Sequence, residues 1–282
     1  MIRFIKRLHK KWKRARRLRD AWPRLAELRP SIETACGGPV RFLPGDGGGH
    51  DYIFYVQNAG GRIAVLRIAN PAYIPEGTPT EARFNGPRLR LTPRERVLRE
   101  WRICRAGAPH GLTPKPLWIS PQGDAALNAY VSGSRLSDWV RQGRLPLWDA
   151  IDLTARRANA FHAAVGEAHM DLTLMNIFAD ASLAPLTLID FELGPHPALS
   201  LAEARLFDFL NLVEMAYKFM SPADKAAAPE RLGRLFSDIV PGEVRQAPVA
   251  RLAAKLPRIL ADPVFRDSLA HLLNMESAPC RP

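Results

Sequence analysis

The chain is poor in cysteine, lacks any long apolar run and carries no acid in its first nineteen residues. Its three cysteines, Cys36, Cys104 and Cys280, are odd in number and far apart, with no C-x-x-C or Cys/His cluster. That excludes a disulfide framework and a structural zinc site and fits a reducing cytosol. No apolar stretch approaches the roughly 18 residues that a membrane-spanning helix needs. Internal repeats and low-complexity tracts are also missing, which removes solenoids from consideration. What is present, 282 residues with 47% hydrophobic and 24% charged, is ordinary globular composition, enough for one large domain or two lobes.

The charge is unevenly placed. The formal +12 comes from 40 Lys+Arg against 28 Asp+Glu, and residues 1 to 19 (MIRFIKRLHKKWKRARRLR) alone hold ten of the bases, leaving 30 against 28 in the rest. Ile5, Leu8, Trp12, Ala15, Leu18, Trp22, Leu25 and Leu28 recur at intervals of three or four, which predicts a helix with one apolar stripe and a cationic face. Pro23 suits a first helical position, so a break near Asp20 to Trp22 and a second short helix from Pro23 are expected. A basic amphipathic helix bearing Trp and Phe reads as an anchor for an anionic membrane surface. No unbroken apolar region follows the charged stretch, so it does not read as a secretory signal. Nucleic acid is not an expected partner, because no zinc finger or RNA-binding signature accompanies the arm.

Beyond the arm, VRFLPG, HDYIFYVQ and GRIAVLRIA read as antiparallel strands broken at glycine-bearing turns. A Pro/Gly-rich loop over 71 to 92 leads to a helix, PRERVLREWRICRAG, and PKPLWIS and DAALNAYVSG are strand-like again. From Leu136 the periodicity is mostly helical through LSDWVRQG, LWDAIDLTARRANAFHAAV, LAEARLFDFLNLVEMAYKFM, PERLGRLFSDIV and PVARLAAKLPRIL, interrupted only over 169 to 194. Asp208 and Glu214 fall on one of these helices, where a solvated surface position is expected for each.

The interruption, HMDLTLMNIFADASLAPLTLIDFELG, holds His169, Asp171, Asn176 and Asp190. Phosphoryl transfer from ATP needs a carboxylate to orient or accept the hydroxyl proton and hard oxygen ligands for Mg²⁺. An Asp and an Asn five residues apart, with a second Asp returned after a strand pair, supply those groups. For His169 the expected role is packing and hydrogen bonding. The pattern H-M-D-L-T-L-M-N followed by D-F-E resembles the catalytic and metal-binding loops of the protein-kinase-like superfamily. HMDLTLMNI and LIDFELG are most similar to the bacterial lipopolysaccharide core kinases acting on Kdo or heptose, and the aminoglycoside and choline phosphotransferases share the framework.

That resemblance implies an α+β, bilobal protein-kinase-like fold. Residues 1–30 would form the basic arm, 31–132 a small antiparallel β-rich nucleotide-binding N-lobe with one helix, and 133–282 a larger helical C-lobe, with a cleft between the lobes. ATP and Mg²⁺ are the implied cofactors. Asp171 would be the catalytic carboxylate, and Asn176 and Asp190 the metal ligands. Gly47, Gly48 and Gly49, in a turn open to close backbone approach, would lie by the phosphates. Arg67 stands where the family carries lysine, as a phosphate contact paired with Glu100, Glu95 being a second choice. LNAYVSG resembles the hinge, which places the adenine edge against Ala129 and Val131.

Two features depart from protein kinases. Glu192 replaces the glycine of D-F-G, and no A-P-E segment follows Asp190, so protein acceptors are disfavoured and a permanently assembled site is expected. The sequence therefore predicts an ATP-dependent kinase for a sugar hydroxyl or glycolipid of the lipopolysaccharide core. It would work in the cytoplasm, peripheral on the inner face of the membrane through residues 1–19. A soluble aminoglycoside- or choline-type phosphotransferase, an atypical protein kinase and a membrane-tethered pseudokinase are the alternatives. Oligomeric state is not encoded legibly.

Overall fold

The computed structural model describes residues 2–45 and 50–273, with side chains from residue 19 onward. Two compact units emerge, interleaved along the chain: Met1–Thr78, Thr92–Arg105 and Lys115–Tyr130 form one, and Pro79–Leu91, Ala106–Pro114 and Val131–Pro282 the other. In chain order the strands are β1 (Arg41–Pro44), β2 (Tyr52–Asn58), β3 (Gly61–Ile68), β4 (Phe84–Asn85), β5 (Arg88–Arg90), β6 (Pro116–Ile119), β7 (Ala125–Ala129), β8 (Ser134–Arg135), β9 (Ile177–Ala179), β10 (Thr187–Leu188) and β11 (Leu193–Pro195). The first five α-helices are α1 (Ile2–Cys36), α2 (Pro93–Gly107), α3 (Leu136–Arg141), α4 (Leu147–Val165) and α5 (Leu201–Ala216), with further helices following. The result is a mixed fold with its antiparallel sheet in the N-terminal region and helices dominating the C-terminal part. No described helix is long and apolar enough to cross a membrane.

The first unit is a five-stranded antiparallel sheet in the order β1-β2-β3-β7-β6. Period-two alternation puts Phe54 and Val56 of β2 and Ala64, Leu66 and Ile68 of β3 in the core. Against them lie Ala21, Leu25, Leu28 and Ile32 of α1, spaced four, three and four, and all at most 5% exposed. Arg24 fastens the same helix to the β6–β7 turn, its Nε and Nη2 donating to the two oxygens of Asp124 at 2.8 Å each. Gly45 donates its N–H to the Ile53 carbonyl at 2.8 Å, and an added Cβ would come within 2.6 Å of the Ile53 side chain. Only glycine permits that approach where β1 ends.

The expected break before Pro23 does not occur: α1 runs unbroken through Pro23 and Pro30. Both prolines lie on the exposed face, seven residues apart, and the carbonyls they leave unpaired belong to Arg19 and Ala26, exposed as well. Water can satisfy those carbonyls, and the buried stripe gains roughly 1.5–3 kcal/mol per large side chain, so packing outweighs the local cost. The side chains of Ile5, Leu8, Trp12, Ala15 and Leu18 fall outside those described.

In the second unit, α5 starts at a capping box in which Ser200 Oγ accepts from the Glu203 N–H and the Glu203 carboxylate from the Ser200 N–H. Its apolar face, including Leu206, Phe209, Leu210 and Val213, is buried with Ile151, Ala155 and Phe161 of α4. Two small sheets complete this unit, β10-β9-β8 and β11-β5-β4. The second draws on residues 84–90, within the stretch expected to be loop. PVARLAAKLPRIL is not one helix either: a 3₁₀ turn at Ala253–Lys255 gives way to a short helix at Pro257–Ala261. Pro257 lacks the N–H that would continue the first turn and pushes Leu256 out of helical geometry (φ −120°, ψ 37°).

Because Ala21, Leu25, Leu28 and Ile32 already pack α1 on the sheet, deletion of residues 1–18 should leave the melting temperature within a few degrees of the full chain. Deletion of 1–36 should abolish cooperative unfolding, and Leu25→Ala should cost about 2–5 kcal/mol in a denaturant titration.

Candidate active site

The loop bearing Asp171 is set by α5. Asp208, fully buried, accepts from the His169 N–H at 2.6 Å, the Met170 N–H at 2.7 Å and His162 Nε2 at 2.8 Å. One turn on, Asn211 donates to the Leu172 carbonyl at 2.9 Å, so the chain is gripped on both sides of Asp171. Met170 is thereby held at φ 68°, a left-handed conformation that a side-chain-bearing residue adopts at a cost. Asp208 and Glu214 are thus not solvated, as the sequence suggested. Glu214 is 1% exposed and accepts from the Arg258 and Ile259 N–H groups and the Arg258 guanidinium.

His169, also fully buried, links the two halves of the motif. Its Nε2 meets the Ile189 carbonyl at 3.0 Å, and its Nδ1 accepts the Asp171 N–H at 3.3 Å. Those partners assign the proton to Nε2. Phe191 stacks on Phe161 at 5.5 Å between ring centroids and leans on His169 at 4.7 Å. Both ring nitrogens are engaged in main-chain contacts, the packing and hydrogen-bonding role expected of His169.

Asn176 donates its amide to the Asp171 carbonyl at 2.9 Å and to Asp171 Oδ2 at 3.1 Å. Its own carbonyl accepts the Ile189 N–H at 3.0 Å, and β9 pairs with β10 through Ile177 and Leu188, which carries Asp190 alongside. Asp190 sits at φ 71°, a second strained position in the same site. The Asn176 NH₂ is committed to Asp171, so only its Oδ1 could serve a cation. Among the described residues no three His, Cys, Asp or Glu cluster as a metal cage. A carboxylate and an amide oxygen are hard donors of the kind Mg²⁺ takes, so Asp190 and Asn176 are the residues that would hold such an ion.

Burial pushes the Asp171 carboxyl up to about 6; Arg88 opposes the rise, the negative charges of Asp190 and Glu192 add to it, and the Asn176 amide also opposes it. Arg88 was not singled out by sequence. Its guanidinium lies 3.0 Å from Asp171 Oδ1 and donates to the Met170 carbonyl at 2.7 Å and Asn211 Oδ1 at 2.8 Å. The signal available was the R-L-R alternation at 88–90 inside a loop-like composition.

In the first unit, Arg67 Nη2 lies 2.9 Å from Glu100 Oε2 and Nη1 3.1 Å from Asp51 Oδ2. Asp51 also takes the Arg96 Nε at 3.1 Å and Nη2 at 2.5 Å, and Asn128 donates to Glu100 at 2.9 Å. Burial alone would raise the Asp51 carboxyl, but Arg96 and Arg67 hold it below the usual carboxylate range. Glu95 is engaged elsewhere, accepting the Thr92 N–H at 2.7 Å at the start of α2. Asp51 and Arg96 were missed by sequence because neither lies in a motif and the network joins β2, β3, α2 and β7. Gly47, Gly48 and Gly49 lie outside the described residues. The Ala129 N–H donates to the Lys115 carbonyl at 2.7 Å, while the Val131 N–H makes no hydrogen bond among the described residues.

No protein-family profile matches the chain, and neither does any curated protein. Among solved structures, the chain is similar to a choline/ethanolamine kinase family protein from Mesorhizobium loti at 17% identity and a TM-score of 0.40, over 84% of this chain and 93% of that one. A likeness that low carries no functional inference, and the reading of the site stands on the residues above.

The raised pKa has a signed consequence for stability. The folded state holds the Asp171 proton more tightly than the unfolded chain, so stability present at low pH is lost as pH rises from about 4 through about 6. Asp171→Asn, which keeps the size and most partners, should raise the melting temperature by a few degrees at about pH 8 and leave it unchanged at about pH 4.

Proposed function

We propose that the chain is an ATP- and Mg²⁺-dependent phosphotransferase that moves the γ-phosphoryl group to an alcohol, most specifically a sugar hydroxyl of the lipopolysaccharide core. The observation that carries this reading is the Asp171–Asn176–Asp190 arrangement. One amide steadies a half-buried carboxylate with its nitrogen and turns an oxygen towards cation binding, with a second carboxylate one strand away. Asp171 would orient the acceptor hydroxyl and take its proton as that oxygen bonds to the γ-phosphorus and the bond to the β–γ bridging oxygen breaks, releasing ADP. Held by Asn176 Oδ1 and Asp190, a bound Mg²⁺ would supply neutralisation of phosphate charge. Arg67, fixed by Glu100 and Asp51, is the proposed phosphate contact. The carbonyl of Ala129 and the N–H of Val131 are the proposed adenine contacts, and Gly47 to Gly49 the phosphate-side turn.

The acceptor part of the proposal rests on residues 1–19, which hold +10 of the formal +12 and, from Ile2, make up the first half of α1. A cationic helix is drawn to anionic lipid by about 1 kcal/mol per Lys or Arg near the surface. A glycolipid acceptor at the inner membrane face would share that surface.

With core oligosaccharide as acceptor, Mg²⁺-dependent ATP consumption should fall by about 10²–10⁴-fold in Asp171→Ala and comparably in Asp190→Ala. Activity indifferent to both changes would remove the catalytic assignment, and a wild type with no turnover would favour a binding module. In sedimentation with anionic vesicles, the full chain should pellet at low salt, release as salt rises and stay in solution when residues 1–19 are deleted. A full chain that ignores the vesicles would favour a soluble small-molecule kinase.

A further inference from the structure

The strand that brings Arg88 to Asp171 carries more positive charge than that contact uses. β5 pairs with β11 in the register Arg90↔Leu193 and Arg88↔Pro195, so the strip begins one residue beyond Glu192. Two residues apart on one strand, Arg88 and Arg90 project to the same face. The turn between β4 and β5 lies over Lys255: a Cβ built on Gly86 would stand 3.1 Å from Lys255 Cγ. Burial, and then the charges of Arg88 and Arg90, hold the Lys255 ammonium below its ordinary range, as expected where like charges converge. Arg88 is occupied by Asp171, Met170 and Asn211. Among the described residues, the side chains of Arg90 and Lys255 have neither an ion-pair nor a hydrogen-bond partner. Cations gathered without partners beside a reactive carboxylate favour an anion there and repel a cation.

We propose that the acceptor alcohol carries an anionic group of its own, a carboxylate or a phosphate ester, which docks on Arg90 and Lys255 while its hydroxyl meets Asp171 beside Arg88. Resting on the phosphotransfer reading above, this names the class of acceptor. Quaternary-ammonium and aminoglycoside alcohols, which would bring positive charge to the same strip, are selected against. Arg88 is then a positioning residue, and Arg90 and Lys255 set specificity.

The test is calorimetric titration of inorganic phosphate into the full chain saturated with Mg²⁺ and a non-hydrolysable ATP analogue, which occupies the nucleotide's own phosphate contacts. Phosphate should bind, and Arg90→Gln/Lys255→Gln should weaken it by roughly 10-fold or more with the melting temperature retained. Kdo, which offers a carboxylate, and glucose 6-phosphate, which offers a phosphate ester, should between them displace it, and the better competitor names the anion. Choline should not displace it. Absent phosphate binding, an unweakened double variant, displacement by neither sugar, or displacement by choline would each overturn the proposal. A chain that fails to bind the nucleotide analogue would instead sink the kinase reading, and phosphate titrated without nucleotide would still report on Arg90 and Lys255.

Discussion

The buried carboxylate of Asp208 is the interaction on which the second unit's chemistry depends. It takes two consecutive main-chain N–H groups and an imidazole at distances of 2.6 to 2.8 Å, with no exposure to water. Those bonds set where Asp171 begins and stabilise the left-handed Met170. Through His169 the same loop is tied to Ile189, the residue before Asp190. Removing one partner of a buried, charged hydrogen-bonding group costs several kcal/mol, because what remains cannot return to water. The geometry of the loop around Asp171 is therefore inherited from a buried acid on a neighbouring helix.

In the first unit the balance of charge differs. Asp51, Arg67, Arg96 and Glu100 bring two acids and two bases together, and Asn128 donates to a Glu100 oxygen. Such a set suits an arginine at position 67. A planar guanidinium offers separate N–H groups to two carboxylates on different elements, whereas an ammonium acts as a compact point charge. Asp51 is the departure that makes Arg67 intelligible, and it lies in no recognisable motif.

Legibility followed the range of the interactions. Strands β1 to β3, helix α2 and the helices over 136–165 and 201–216 could be read from periodicity and turn chemistry, because each is specified within its own window. Asp171, Asn176 and Asp190 stood out because the chemistry needs fixed spacing along one loop. Arg88 and Asp208 did not, since their partners are 83 and 39 residues away for Asp171 and His169 respectively (171 − 88 and 208 − 169). Asp208 did leave a trace, an acid among the apolar residues of LFDFLNL, three residues before Asn211. The unbroken α1 escaped for another reason: proline propensity is local, while the packing that overrides it comes from a sheet formed later in the chain.

The interleaving of the two units bears on how the protein can be taken apart. The chain passes from one to the other at 78/79, 91/92, 105/106, 114/115 and 130/131. Neither unit is a contiguous stretch of sequence, so neither can be excised by choosing two termini. The stretch that supplies Arg88 is itself bounded by two of these passages, inserted ahead of the helix that carries Glu100. A whole unit therefore cannot be exchanged as one contiguous segment, whereas the insert at Pro79–Leu91 can be varied between two fixed ends of the first unit.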